Sequence, residues 1–123
     1  MNRLIPFGRK ITGDVVPDYL FSNLGVVDSI VLNLTSKVGL KYTIESNIEV
    51  IIGELPSAGN IGRATIELTG GGDYAITWDP NIFFPQGSPP SLSTGGKTDR
   101  LFFYCEDGAH VECYVVGLDI SRT

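Results

Sequence analysis

The chain has 123 residues, enough for one domain with one ordinary core. With 42% hydrophobic and 19% charged residues it has the composition of a folded body, not of a disordered segment. A net charge of -5 argues against duplex nucleic acid as a direct partner. No apolar run approaches the ~20 residues of a membrane helix, and the start of the chain lacks the apolar stretch of a signal peptide, so neither membrane nor secretion is expected.

Charge is unevenly spread. Residues 1–13 carry Arg3, Arg9 and Lys10 and no acid, which leaves six bases against all fourteen acids in the rest of the chain. Pro6, Gly8, Gly13, Pro17 and Gly25 interrupt any helix or central strand in the first 25 residues. Leu4, Ile5, Phe7, Val15, Val16, Tyr19, Leu20 and Phe21 give the same stretch more apolar side chains than a solvated tail carries. Residues 1–25 therefore read as an extended arm lying on its own body or on a neighbouring subunit. Residues 26–123 read as the folded domain. Arg3, Phe7, Arg9 and Lys10 are the candidate partner contacts, because a basic, partly apolar arm suits an acidic neighbour.

The body alternates. Ile30, Leu32 and Leu34 share one face of a first run, and Val38, Leu40, Tyr42 and Ile44 share one face of a second. The gap Thr35-Ser36-Lys37 is short enough for a hairpin between them. Ile48–Ile52 is a β-branched run, and residues 54–60 read as a loop. Ala64, Ile66 and Leu68 point inward in the next strand, with Arg63, Thr65 and Glu67 outward. Gly70-Gly71-Gly72 then supplies a tight reversal. It lacks the spacing of a phosphate loop.

Tyr74, Ile76 and Trp78 make one face of a further strand. Residues 79–96, rich in proline and glycine, form a long loop relieved only by Ile82-Phe83-Phe84. Residues 100–106 and 111–116 form a final pair of strands around the turn Asp107-Gly108. A turn centred on residue 109 would set Cys105 opposite Cys113, both inward with Leu101, Phe103, Val111 and Val115. They read as two buried free thiols, with a cross-strand disulfide, which suits a non-secreted chain poorly, as the alternative. No helix period is sustained. The expected fold is all-β, an antiparallel β-sandwich of about seven or eight strands with jelly-roll connections as an option.

Chemistry is thinly represented. The sole histidine, His110, lies in a turn. Asp73, Asp79 and Asp99 flank turns, where aspartate commonly bonds local backbone. Two cysteines and one histidine lack zinc-site spacing, and no calcium-loop pattern occurs. Trp78, Phe83, Phe84 and Tyr74 could stack on sugars, but suit a core better. No catalytic residue, metal or cofactor is expected.

Residues 61–119 nonetheless carry a pattern. Ile76-Thr77-Trp78-Asp79-Pro80 is followed by Phe84-Pro85-Gln86-Gly87, Pro89-Pro90 and Leu92-Ser93-Thr94-Gly95-Gly96. Then come Asp99, Leu101-Phe102-Phe103-Tyr104, Asp107-Gly108 and Tyr114. This order resembles a module of tailed-bacteriophage virion proteins, found in head decoration proteins, head fibres and tail-fibre ends. Asp79, inserted between Trp78 and Pro80, and Phe84, where tryptophan is usual, depart from it.

The resemblance implies a non-enzymatic virion component. With no fibre shaft and an extended arm, the expectation is a capsid decoration or cement protein. Its partners would be the major capsid protein or other virion proteins, and copies of itself as a dimer or trimer. Val31 and Ile51 are candidates for such contacts, unless they face a second sheet. The alternative is a tail-fibre or tail-tip subunit that binds a host receptor or glycan through the 79–96 loop.

Overall fold

Alternation of apolar and polar residues resolves into strands throughout the computed structural model, which describes residues 21–35, 39–85 and 87–120. The described strands are β1 (Phe21–Val26), β2 (Ser29–Leu32), β3 (Gly39–Thr43), β4 (Ile48–Ile52), β5 (Gly62–Thr69), β6 (Ile76–Trp78), β7 (Ile82–Phe83), β8 (Thr98–Cys105) and β9 (Val111–Gly117). Among the described residues the one helical element is a short 3-10 turn at Gly71–Asp73. The fold is all-β. One sheet has six strands in the order β1-β3-β5-β8-β9-β7, and the other has three in the order β2-β4-β6.

Pairing is mixed, which corrects the expected antiparallel arrangement. From β1 to β6 consecutive strands alternate between the sheets, and each of β1 to β4 pairs in parallel with the strand two further along. Phe21 pairs with Gly39, Ser29 with Glu49, Gly39 with Thr65 and Ile48 with Ile76. A hairpin cannot join parallel neighbours. Here a strand of the opposite sheet makes each crossover, so the first half of the body is a flattened coil. Among the described strands only β5–β8 and β8–β9 are antiparallel, and β7 adds to β9 in parallel. A jelly roll, built of antiparallel strands, does not describe this order.

Three local expectations change with it. β2 and β3 do not form a hairpin, because they lie in different sheets. Beyond β2, the Leu34 N–H donates to the Glu54 carbonyl at 2.8 Å, and Asn33 Oδ1 accepts the Glu54 N–H at 2.8 Å. The chain thus keeps running beside β4 where a turn back was expected. Gly70, at φ 86, and the turn after it carry the chain from one sheet to the other instead of reversing it within a sheet. Phe21–Val26 belong to the six-stranded sheet, so the last residues of the expected arm are part of the body. Residues 1–20 lie outside the described residues.

Both sheets contribute to one core. Ile30, Leu32 and Val50 from the smaller sheet join Ile66, Leu68, Leu101 and Phe103 from the larger, each at most 2% exposed. Burying side chains of this size contributes roughly 1.5–3 kcal/mol apiece. The smaller sheet has half the strands of the larger. The 79–97 segment supplies further cover, with Ile82 buried and Phe84 and Leu92 packed against the same core.

Cys105 and Cys113 are buried and free, as their pattern suggests. Their expected register is corrected: Phe103, not Cys105, pairs with Cys113. The turn is centred one residue earlier, where Gly108 takes φ 75. Asp107 stabilises it by accepting the N–H groups of Ala109 and His110 on one carboxylate oxygen.

Candidate partner-contact surfaces

The long loop is held by carboxylates. Asp99, on β8, is fully buried. One of its oxygens accepts the Ser93 N–H and the other the Ser93 hydroxyl, both at 2.7 Å. The latter also takes the Asp119 N–H at 2.9 Å. Asp73, at the end of the 3-10 turn, accepts the N–H groups of Gly95 and Gly96 on its two oxygens, each at 2.8 Å. These amide bonds hold the Asp73 carboxyl below the usual carboxylate range. Gly95 and Gly96 adopt φ 80 and 71, which lets both N–H groups turn toward one anion. Gly72 is needed for contact: a Cβ there would stand 2.3 Å from the Leu92 and Ser93 carbonyl oxygens.

Asp79 works at the other end. Its N–H donates to the Val50 carbonyl at 2.8 Å, and Oδ2 accepts the Ile52 N–H at 3.0 Å. The side chain thus continues the β4–β6 ladder where Pro80, lacking an N–H, follows. At the opposite end Asn47 Oδ1 accepts the Ala75 N–H at 2.9 Å. The aspartates that flank turns therefore bond backbone, but across the fold more than within their own turns.

The aromatic residues divide. Trp78 is half-buried and meets Phe84 edge to face, with centroids 5.2 Å apart. Phe83 points elsewhere, against His110 at 5.3 Å. They do not make one flat stacking platform. Tyr74, Ile76 and Trp78 instead form one wall of an open cleft of about 340 Å³ whose other wall is Pro89, Pro90 and Leu92. His110 Nδ1 bonds Asp107 Oδ2 at 2.6 Å, and both side chains are half exposed. Bonds from His110 and Ala109 N–H groups and from the ring lower the Asp107 pKa well below the carboxylate range. Among the described residues no group of three or more His, Cys, Asp and Glu could hold a metal ion, and no helix is long and apolar enough to cross a membrane.

Apolar side chains stand on the outside of both sheets. Val31 and Ile51 pair in register on the smaller sheet and are 42% and 38% exposed, so they face outward and not toward a second sheet. Leu24 and Val26 are exposed on the edge strand β1. Tyr114, Val115, Val116 and Leu118 make a third exposed group at the end of β9. Val115 pairs with the buried Leu101 but remains exposed itself. Alternation does not identify this group; the absence of charge from Cys113 to Leu118 is the signal that would have.

Glu67 is a further departure. It lies on the outward face of β5, yet is 2% exposed, and Arg100 on the neighbouring strand donates to it at 2.6 and 3.0 Å. The expected contacts Arg3, Phe7, Arg9 and Lys10 lie outside the described residues. Comparison with models of protein families, with curated proteins and with solved structures returned no match.

Proposed function

We propose that this chain is a virion structural protein of a tailed bacteriophage, a capsid decoration or cement protein that binds the assembled shell. In this reading the two sheets form a β-sandwich body, and Arg3, Phe7, Arg9 and Lys10 reach from it to the major capsid protein or another virion protein. The chain carries out no reaction of its own and acts on the particle, assembled in the host cytoplasm, as a homo-oligomer. The observation that carries the reading is the display of apolar side chains on outer faces of both sheets, at Val31, Ile51, Tyr114 and Val116. Surfaces of this kind suit a protein that is covered by neighbours. The phage-like order of motifs from Ile76 to Tyr114 supports the same assignment.

Reconstitution tests it. Purified chain added to capsids that lack it should bind in stoichiometric, saturable amounts and slow their disruption by heat. Capsids that neither bind the chain nor gain resistance would contradict the proposal.

A second reading, a tail-fibre or tail-tip subunit for a receptor or glycan, has the cleft between Tyr74–Trp78 and Pro89–Leu92 in its favour. It predicts glycan binding that is lost on replacing Tyr74 by alanine.

A further inference from the structure

Glu67 is dry on a face where a glutamate should be wet. It stands on the outer side of β5, inside the six-stranded sheet, yet is 2% exposed within a single chain. Its cross-strand neighbours are Lys41 on β3 and Arg100 on β8. Along β5 the same face carries only the small Thr65 and Thr69 beside it. Arg100 bonds Glu67 at 2.6 and 3.0 Å but leaves 36% of its own side chain exposed. Gly39, paired with Thr65 on this face, is buried as well. A carboxylate this dry calls for a cover as well as an ion pair.

The cover belongs to this chain, because one chain alone buries Glu67. The described connections are engaged elsewhere. Residues 79–97 lie against the core, Pro56 and Ala58 stand against Gly62 and Gly108 at one end of the sheet, and the Ile120 N–H bonds the Thr98 carbonyl at the other. Residues 36–38 and 121–123, outside the described residues, reach about 10 Å each at full extension, too little to lie over both Glu67 and Gly39. The stretch before β1 is longer, and it joins the body on this sheet, where Phe21 pairs with Gly39. Residues 14–20 alone can span about 23 Å, against about 14 Å from β1 across β3 and β5 to β8.

Charge agrees. In a chain of net charge -5, the outer positions of β3, β5 and β8 carry Lys41, Arg63 and Arg100 against the single acid Glu67. Residues 14–20 read Asp-Val-Val-Pro-Asp-Tyr-Leu, with two acids, no base and four large apolar side chains.

We propose that residues 14–20 lie across the outer face of the six-stranded sheet, over Gly39, Lys41 and Glu67. Val15, Val16, Tyr19 and Leu20 exclude water from the Glu67–Arg100 pair, and Asp14 and Asp18 offset the bases around it. Residues 1–13 then set out from that face. In the capsid reading above, the six-stranded sheet, and not the face with Val31 and Ile51, is turned to the shell. The cover itself does not rest on that reading.

A nitroxide on Val16→Cys in the full chain tests it, since Cys105 and Cys113 are buried. The label should broaden the amide signals of Gly39, Lys41 and Glu67 and spare those of Val31 and Ile51. In a mixture of isotope-labelled chain without nitroxide and unlabelled chain carrying it, the same signals should stay sharp. Removing residues 1–13 should leave the Gly39, Lys41 and Glu67 amide shifts in place, whereas removing residues 1–20 should move them. Sharp signals at all three residues in the labelled chain would overturn the proposal. So would broadening in the mixture, which assigns the cover to a second copy, or equal shifts in the two truncations, which assign it to residues 1–13. Every readout is on the free chain, so it stands or fails apart from any result on capsids.

Discussion

The buried carboxylate of Asp99 accepts both the backbone N–H and the hydroxyl of Ser93, six residues earlier at the end of the proline-rich loop. The same carboxylate takes the Asp119 N–H from the chain after β9. One anion thus ties the loop, β8 and the C-terminal segment together. Asp99→Ala would leave three donors without this partner and should destabilise the fold by about 3–5 kcal/mol. Ser93→Ala removes only the hydroxyl bond and should cost about 1.5 kcal/mol. Equilibrium denaturation measures both, and equal small losses would refute the assigned role.

Asp73 makes the loop sensitive to acid. Its pKa is lowered in the folded state, chiefly by the Gly95 and then the Gly96 amide. The stability it contributes is therefore fully present above the unfolded value of about 4 and is lost as pH falls below that and through the lowered folded value. Hydrogen exchange at Gly95 and Gly96, corrected for intrinsic rates, should speed up on acidification in the native chain. In Asp73→Asn the protection should be weaker and independent of pH across the same range. A native profile that matches the variant would contradict this account.

Cys113 should be inert in the folded protein. Burial pushes its thiol up to about 12, far above the ordinary value, and Cys105 beside it in the core is also enclosed. Alkylation at neutral pH should modify neither until denaturant is added, and then both. Prompt labelling of the native chain would show that the β8–β9 pair opens readily.

The proposed contact residues at the start of the chain can be tested apart from the body. Removing residues 1–13 takes away Arg3, Phe7, Arg9 and Lys10 and makes the chain more acidic by three charges. Thermal unfolding should shift little, whereas binding to capsids should weaken and lose salt dependence. Unchanged occupancy on particles would remove these residues from the contact.

Much of the body was legible because side-chain direction has a period of two. Ile30, Leu32, Tyr42, Ile44, Ala64, Ile66 and Leu68 are all inward, as alternation requires. Alternation fixes a face, however, and not a neighbour. The same inward pattern suits a hairpin and a crossover, which is why β2 and β3 read as paired although the chain winds between sheets. The turn at Gly108 sits one residue from its expected centre, and that was enough to place Cys113 opposite Phe103. Glu67 reads as a surface residue because alternation sets it outward, and its ion-pair partner Arg100 is thirty-three positions away. The aspartates were legible as structural groups, but not as long-range ones: Asp79 reaches Ile52 and Asp73 reaches Gly95.

The most direct test of the central proposal is a density map of intact virions of the tailed bacteriophage to which the proposal assigns this chain. The account predicts density for the two-sheet body at regular positions on the outside of the head, over junctions between shell subunits. Density confined to the tail tip, or particles that lack the chain altogether, would contradict it.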